Sequence, residues 1–471
     1  MASGRLTVIG GGPGGYTAAF AAARQGMEVT LAESDSIGGT CLNAGCIPTK
    51  TLKTSSDVLG MTARLAEFGL KGNMAEADMT AIQTRKKRVM ATLRAGLERT
   101  CATLKIRMVH GRGRLINAKQ VVVTGGDGVE TLVNGDMVIL ATGSRTLELP
   151  DLPFDHEVIL NSDDILDLKK IPKRLLIAGG GVIGCEMAFI FKSFGSDICL
   201  VEAQARPLPL VSIDADISDL LQLEMKKRHI HFCQGRVVSR VRQENGAVVV
   251  TLSPSPFSAN PSQAPLEVEV DAVLVTVGRK PNTEQLGLEE AGVKLDERRW
   301  VVADEFLETS VRGVYAVGDL LGPQKSMLAH VASMEGLCAA SNCLGKRQSM
   351  DYGLIPSAVF TKPEIGCVGL TEKQAKDLGI KALSYTFQMR QLGKMQVVGE
   401  LSGICKIVAD ADGLVLGVHI AGPCATELVA GPTLAVKMKT RVADVVATMH
   451  AHPTLAEGFF ESASGLAASY A

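Results

Sequence analysis

The chain has 471 residues, 46% of them hydrophobic and 21% charged, a mix that can bury substantial cores over roughly three or four domains. Its net charge of −1 and 4% aromatic content offer neither the basic footprint nor the stacking surface of a nucleic-acid binder. Eleven cysteines, an odd number scattered over a long chain, argue against a secreted disulfide scaffold and for a reducing, cytoplasmic setting.

From Met1-Ala2-Ser3-Gly4-Arg5 the sequence enters an apolar run at once, so no signal or transit segment is expected. Leu6 to Ile9 reads as a strand, Gly10-Gly11-Gly12-Pro13-Gly14-Gly15 as a turn, Tyr16 to Arg24 as a helix, and Val29 to Ala32 as a second strand ending at Glu33. Strand, glycine turn, helix, strand and acid form a dinucleotide fingerprint. Gly10, Gly12 and Gly15 permit the tight turn and let a pyrophosphate approach the helix N-terminus. Glu33 can accept from ribose hydroxyls. A glycine pattern alone also fits an ordinary tight turn; here the flanking strands and the acid set it apart.

Gly39 to Lys50 follows, with Cys41 and Cys46 five residues apart and Pro48 just behind. In a regular helix that spacing is about 7.5 Å of rise, beyond the usual Cα separation of a disulfide, about 4.4–6.8 Å. A bond between them needs distorted backbone, which Asn43-Ala44-Gly45 can supply, and strained, accessible disulfides are the reducible ones. Pro48 suits the first turn of a helix. That puts Cys46 at a helix N-terminus, where the dipole favours a thiolate. On these residues alone a redox pair, a zinc half-site and two unrelated core cysteines all stay open.

Residues 51–110 have helical composition, and Arg85-Lys86-Lys87-Arg88 reads as a solvated face. A β region begins at Gly111-Arg112-Gly113 and Val121 to Val123. Met137 to Leu140 is a buried strand running into Ala141-Thr142-Gly143-Ser144, suited to close approach by a cofactor. Asp151 to Lys173 is a linker with a short helix. The fingerprint then recurs: Leu175 to Ala178, the turn Gly179 to Gly184 with Gly181 inside it, a helix containing Glu186, and Asp197 to Val201 ending at Glu202. Two such units imply two nucleotide cofactors and an enzyme relaying electrons between them. A carboxylate at Glu202 accepts a free 2′-hydroxyl and repels a 2′-phosphate, so the second site should take NAD; its alternative is an ordinary strand-end acid.

Leu175 to Phe191 is the most apolar stretch, yet it reads as strand–turn–helix and not as a membrane span. Ser253 to Pro261 is a Pro/Ser-rich hairpin tip or insertion, expected to be mobile and non-catalytic. Val273 to Val277, ahead of Gly278, and Gly313 to Val317, ahead of Gly318-Asp319, are further strands. From Asp351 onward strands (Ser357 to Thr361, Ile404 to Ala409, Val415 to Ile420) alternate with helices as a separate α+β domain. It closes on His450-Ala451-His452-Pro453-Thr454-Leu455-Ala456-Glu457. Thr454-x-x-Glu457 is also a capping-box string, a local structural use for Glu457.

Five motifs taken together carry a resemblance: Gly39 to Pro48, Thr142-Gly143-Ser144, Gly318-Asp319, Met327-Leu328-Ala329-His330 and His450 to Thr454. From Leu6 to Glu461 the chain resembles the class I pyridine nucleotide–disulfide oxidoreductases, and among them those that oxidise protein-bound dihydrolipoamide. The resemblance implies an α/β fold with two Rossmann-like dinucleotide-binding domains, a central domain and a C-terminal α+β dimerisation domain. The corresponding spans are 1–147 for FAD, 148–275 for NAD, 276–346 completing the FAD site, and 347–471 for the interface.

It further implies FAD on the first fingerprint, with Glu33 on the adenosine ribose, Gly113 on the adenine through its backbone, and Asp319 on the ribityl chain. Met327, Leu328, Ala329 and His330 would lie along the flavin, and Lys50 beside it with Glu186 as ion-pair partner. Apart from the family these two read as a surface lysine and a helix-surface acid. Thr40, Thr142, Gly143, Ser144, Val237 and Gly278 join the cofactor-binding set. Cys41 and Cys46 become the redox disulfide, His452 the base and Glu457 its companion, both serving the partner subunit's active site in an obligate homodimer. His450 is structural. The expected partner is a lipoyl-bearing protein of a 2-oxoacid dehydrogenase or glycine cleavage complex; no nucleic acid, membrane or metal is expected.

Several relatives on the same scaffold fit less well. A glutathione-type reductase calls for NADPH and basic residues where Glu202 stands, with only Arg206 nearby. A mercuric reductase calls for cysteines near the C-terminus, whereas the last one here is Cys424. A non-catalytic complex subunit would not need the intact cysteine pair. Two departures from the family pattern are the mild Val331-Ala332-Ser333-Met334 after His330 and the tip at 253–261.

Overall fold

The computed structural model describes residues 4–244 and 247–470, so the lead Met1 to Ser3 lies outside the described residues. The chain divides into two compact units, one of residues 1–52, 80–147 and 278–352, the other of residues 53–79, 148–277 and 353–471.

In the first unit, β1 (Arg5–Ile9), α1 (Pro13–Arg24) and β2 (Glu28–Glu33) form the expected strand–helix–strand. Next come α2 (Gly39–Asn43), α3 (Cys46–Thr62), which runs on past the unit's edge at residue 52, α4 (Met79–Thr103), β3 (Arg107–His110), β4 (Arg112–Asn117), β5 (Gln120–Thr124), β6 (Glu130–Asn134) and β7 (Met137–Leu140). A parallel sheet runs in the order Val314–Ala316, β7, β1, β2, β3. Its strands are near-continuous apolar runs because both faces are covered. Val8, Leu31, Ile139 and Leu140 are fully buried in a core shared with Leu115, Val121 and Val133 of the antiparallel β4–β5–β6 sheet. Helix Ala329–Cys343 lies against α1 where Gly336 faces Gly14; a Cβ on Gly336 would meet the Gly14 carbonyl oxygen at 2.4 Å.

The second unit repeats the plan. Its parallel sheet runs Ile230–Gln234, Asp197–Glu202, Arg174–Ala178, Ala272–Val275, Ile159–Leu160. The antiparallel strands Arg236–Glu244, Ala247–Pro254 and Leu266–Val270 share its core. The same unit holds a five-stranded antiparallel sheet, ordered Ser357–Val359, Glu364–Gly369, Val415–Gly422, Ile404–Asp410, Ala382–Gln388, packed with helix Glu457–Ala467.

Some local expectations change. In the run Arg85 to Arg88, Lys86 is 2% exposed and Arg85 donates to the Thr51 carbonyl; only Lys87 and Arg88 are exposed, since helical periodicity turns part of any such run inward. The short helix between Asp151 and Lys173 is a single 3₁₀ turn, Ile165–Asp167, and Ile159–Leu160 adds an edge strand there. The Pro/Ser-rich stretch does join two hairpin strands, but its root is anchored: Ser255 is buried and donates to the Ala203 carbonyl at 2.6 Å. Among the described residues no helix is long and apolar enough to cross a membrane.

Lys406, its side chain 5% exposed, holds Asp214 at 3.0 Å, Asp216 at 3.1 Å and Glu372 at 2.7 Å. Burial alone would raise the Asp214 carboxyl, but the Lys406 hydrogen bond and charge hold it below its usual value. The Lys406 hydrogen bond likewise lowers Glu372. These depressed acids add stability that is present at neutral pH and lost as pH falls through their folded-state values. Lys406→Met, which strands the carboxylates, is expected to cost about 3–5 kcal/mol, read as a lower Tm at pH 7 whose deficit shrinks toward pH 3.

Candidate active site

Left-handed Gly38 (φ 110) and Gly39 (φ 56) open α2, which ends after Asn43; Ala44 leaves helical geometry and α3 begins at Cys46. The break interrupts the helical rise between the cysteines. Both are free thiols in this structure and they hydrogen-bond to one another. The Cys41 thiol is pushed up, first by its hydrogen bond to Cys46 and then by burial, while Lys50 one turn along α3 pulls the other way. Cys46 heads α3, where the positive end of the helix favours a thiolate. Asn43 clamps the loop: its Nδ2 donates to the Ser36, Ile37 and Gly39 carbonyls, and its Oδ1 accepts from Arg94 at 2.7 Å. Tyr16 on α1 stands within reach of the pair; burial first, then charge on Cys41 and Cys46, raises its phenol.

The two glycine turns share one spacing, each residue of the second standing 169 positions after its counterpart, Gly179 after Gly10 and Glu202 after Glu33. A Cβ on Gly15 would lie 1.8 Å from the Gly10 carbonyl oxygen, and one on Gly184 1.9 Å from that of Gly179. A Cβ on Gly12 would have no atom nearer than 3.8 Å, and one on Gly181 none within 4 Å, so each turn is open on the side where its helix begins. No side chain caps either helix, α1 or Val182–Ser193. Bare first-turn N–H groups beside an open glycine fit a dinucleotide pyrophosphate.

Glu33 and Glu202 are buried, and each carboxylate is tied to backbone on both oxygens. Glu33 accepts from Gly11 N at 2.6 Å and Asp35 N at 2.9 Å; Glu202 accepts from Gly180 N at 2.6 Å and Gln204 N at 2.8 Å. Each acid thus fixes its own turn, besides any contact with ribose.

Around the first turn, Ser144 donates to Asp319 at 2.6 Å and accepts from Arg279 Nε at 2.6 Å. Thr142 and Gly143 are pinned by Asn282, whose Nδ2 donates to the Thr142 carbonyl and whose backbone N–H donates to that of Gly143. Gly143, Gly278 and Gly318 have φ of 67°, 147° and 76°. Gly113 lies on β4 against Ile9, where a Cβ would meet Cγ2 at 2.7 Å. Thr40 is on α2, Met327 and Leu328 precede helix Ala329–Cys343, and Ala329 and His330 open it. In the second unit Val237 pairs with Ser253, and buried Glu186 accepts the Phe360 N–H at 2.9 Å.

The sequence reading missed Glu335. Only 1% exposed, it accepts from Gly318 N and from the Tyr352 hydroxyl, both at 2.6 Å, and burial pushes its carboxyl up to about 7. Asp319 adds to that rise, while Tyr352, Gly318 and Lys325 oppose it. Raised above an unfolded value near ~4.3, Glu335 holds a proton that the unfolded chain releases, so its contribution to stability falls from about pH 4.5 to pH 7 and is flat beyond. Glu335→Gln keeps an acceptor oxygen for the Gly318 N–H, offers its amide N–H to the Tyr352 oxygen in place of the second acceptor, and removes the titration. The expected result is a Tm at pH 8 at or above the parent's, with a shallower Tm–pH slope between pH 5 and 7.

Near the C-terminus His452 and Glu457 meet: Nδ1 lies 2.8 Å from Oε1, while Oε2 accepts the Thr454 N–H at 2.8 Å. The capping-box reading is half right. Glu457 reaches back to Thr454, but the Thr454 hydroxyl donates to Ala451 and the helix starts at Glu457 itself. One carboxylate serves both the backbone and the imidazole, and its value is lowered first by the Thr454 N–H and then by His452. His450, held to the Thr448 carbonyl and against the Phe460 ring, is structural.

Two open dinucleotide turns, and a hydrogen-bonded thiol pair with one member at a helix N-terminus, define a nucleotide-dependent oxidoreductase that handles disulfides. The chain belongs to the pyridine nucleotide-disulphide oxidoreductase family, whose model matches residues 4–336 and whose dimerisation-domain model matches residues 355–463. It is 38% identical over 459 residues to a dihydrolipoyl dehydrogenase of Chlamydia muridarum, covering 97% of this chain and 95% of that one. With a dihydrolipoyl dehydrogenase of Haloferax volcanii it shares 37% over 462 residues, again 97% and 95%. Its structure resembles that of LpdA from Mycobacterium tuberculosis with a TM-score of 0.90 at 28% identity, over 98% of this chain and 99% of the other.

Proposed function

We propose that the chain is a dihydrolipoyl dehydrogenase: an NAD-linked, FAD-containing enzyme that oxidises protein-bound dihydrolipoamide to lipoamide, working in the cytoplasm within a 2-oxoacid dehydrogenase or glycine cleavage complex. The observation that carries this reading is the hydrogen-bonded Cys41–Cys46 pair, with Cys46 at the head of α3, in the same unit as the first glycine turn. The relatives' names point the same way.

The first turn, with Gly10, Gly12, Gly15 and Glu33, holds FAD, joined by Thr40, Lys50, Gly113, Thr142, Gly143, Ser144, Gly318, Asp319 and Met327 to His330. The second, with Gly179, Gly181, Gly184 and Glu202, holds NAD; Glu186, Val237 and Gly278 complete the cofactor-binding set. The four domains 1–147, 148–275, 276–346 and 347–471 assemble as a homodimer in which His452 serves the other subunit's cysteines.

A substrate thiol gives its proton to His452 Nε2, the nitrogen left basic when Nδ1 donates to Glu457. The thiolate attacks Cys41 of the oxidised pair and Cys46 leaves as thiolate. The second substrate thiol then displaces Cys41, releasing lipoamide and leaving two reduced cysteines. FAD held at the first turn would supply the acceptor for that electron pair, and NAD⁺ held at the second would supply the final acceptor.

A steady-state assay with dihydrolipoamide and NAD⁺, repeated with NADPH and glutathione disulfide, tests the reading. Turnover is expected only with the first pair, and a preference for the second would overturn it.

A further inference from the structure

A second pair of thiols stands apart from the active-site cysteines. Cys199 lies on strand Asp197–Glu202 and Cys233 on the neighbouring edge strand Ile230–Gln234. In the parallel register Cys199 pairs with His231 and Val201 with Cys233. Side chains two apart share a face, so the two sulfurs come together diagonally. Their separation is 3.7 Å and both cysteines are only half-buried. They sit at the rim of an apolar core, among the partly buried residues that pack against it.

We propose that Cys199 and Cys233 form a binding site for a divalent d¹⁰ metal ion of the zinc class, held by two thiolates. Two thiolates about 2.3 Å from zinc at a tetrahedral angle are about 3.8 Å apart, which the observed separation already matches. Soft thiolates select such ions over magnesium or calcium. A disulfide fits the backbone poorly. A diagonal step across ~4.8 Å between strands and ~6.6 Å along them puts the Cα atoms about 8 Å apart, and beyond about 7 Å bridging needs backbone movement.

Binding needs deprotonation of both thiols. Their shared hydrogen bond lowers Cys233, with burial opposing and Arg236 assisting, and raises Cys199, with burial adding to the rise, so the ion has to displace the proton held between the two sulfurs. Arg236 is itself buried and held by the Leu252 and Ala264 carbonyls. On uptake two S–H protons leave and two S–metal bonds form; no electron moves. Among the described residues no third His, Cys, Asp or Glu side chain is grouped with the pair, so the remaining positions belong to water. A bound ion would tie the edge strand to the strand that ends in Glu202, whose register partner Gln234 follows Cys233 directly.

The test uses the full-length flavoprotein with Cys41→Ser and Cys46→Ser, which silences the active-site thiols. Cd²⁺ is titrated while thiolate–metal absorbance in the near ultraviolet and equilibrium metal content are read. One equivalent per chain is expected, with the absorbance band, and a further Cys199→Ser or Cys233→Ser change should remove both band and ion. Three results would overturn the proposal: no uptake above that of the Cys199→Ser protein, a band that survives both serine variants, or mild oxidation that links Cys199 to Cys233 as a disulfide in peptide maps.

Discussion

Replacing Cys46 by serine is expected to lower dihydrolipoamide–NAD⁺ turnover by at least ~10³-fold, because the residue supplies covalent chemistry that a hydroxyl cannot. Serine keeps the size of the side chain and the start of α3, so folding should be little affected. Flavin should stay bound, because the contacts assigned to it lie mostly on other elements: the Gly10–Gly15 turn, Glu33, and the Ser144–Asp319 pair. Cys41→Ser should be as inactive for a different reason. Cys46 would then have no partner sulfur with which to form the disulfide and close the cycle. Turnover assayed beside flavin absorbance checks both variants. A yellow Cys46→Ser protein with near-parental turnover would remove the basis of the proposed mechanism.

What the sequence made legible is mostly local chemistry. Gly10, Gly15, Gly179 and Gly184 could be read because their neighbours leave no space for a Cβ, and that constraint is written into a short, regular pattern. The break between Cys41 and Cys46 was legible because Asn43-Ala44-Gly45 is a poor helix. Contacts between distant positions were not. Lys406 gathers Asp214 from 192 residues away, and no pattern in either segment announces the other. Glu335 sits on an ordinary helical stretch, and only the fold brings Gly318 and Tyr352 to it. For Glu33 and Glu202 the motif raises the expectation of a ribose contact, whereas the grip on Gly11 and Gly180 comes from three-dimensional placement. The buried Lys86 shows the converse limit, since a run of like charges says nothing of which member the helix turns inward.

Glu457→Gln is expected to lower kcat by about 10²-fold or more, within the range removed by loss of a general base, and to do so at least as severely as Glu457→Ala. The geometry gives the reason. Both carboxylate oxygens accept, one from Thr454 N–H and the other from His452 Nδ1. A glutamine has one acceptor and one donor end. With its oxygen toward His452, its amide N–H₂ faces the Thr454 N–H, donor against donor. Turned over, it satisfies Thr454 but donates to Nδ1, which moves the imidazole proton to Nε2 and blocks the nitrogen that must take the substrate proton. Alanine only frees the ring. His452→Gln, with no base at all, should lose about 10²–10⁴-fold in kcat. The discriminating measurement is kcat for all three variants beside their Tm values. A purely capping role for Glu457 would lower Tm in step with activity and rank alanine below glutamine; glutamine ranked at or below alanine, with Tm little changed, identifies the carboxylate as the group that holds the His452 proton on Nδ1.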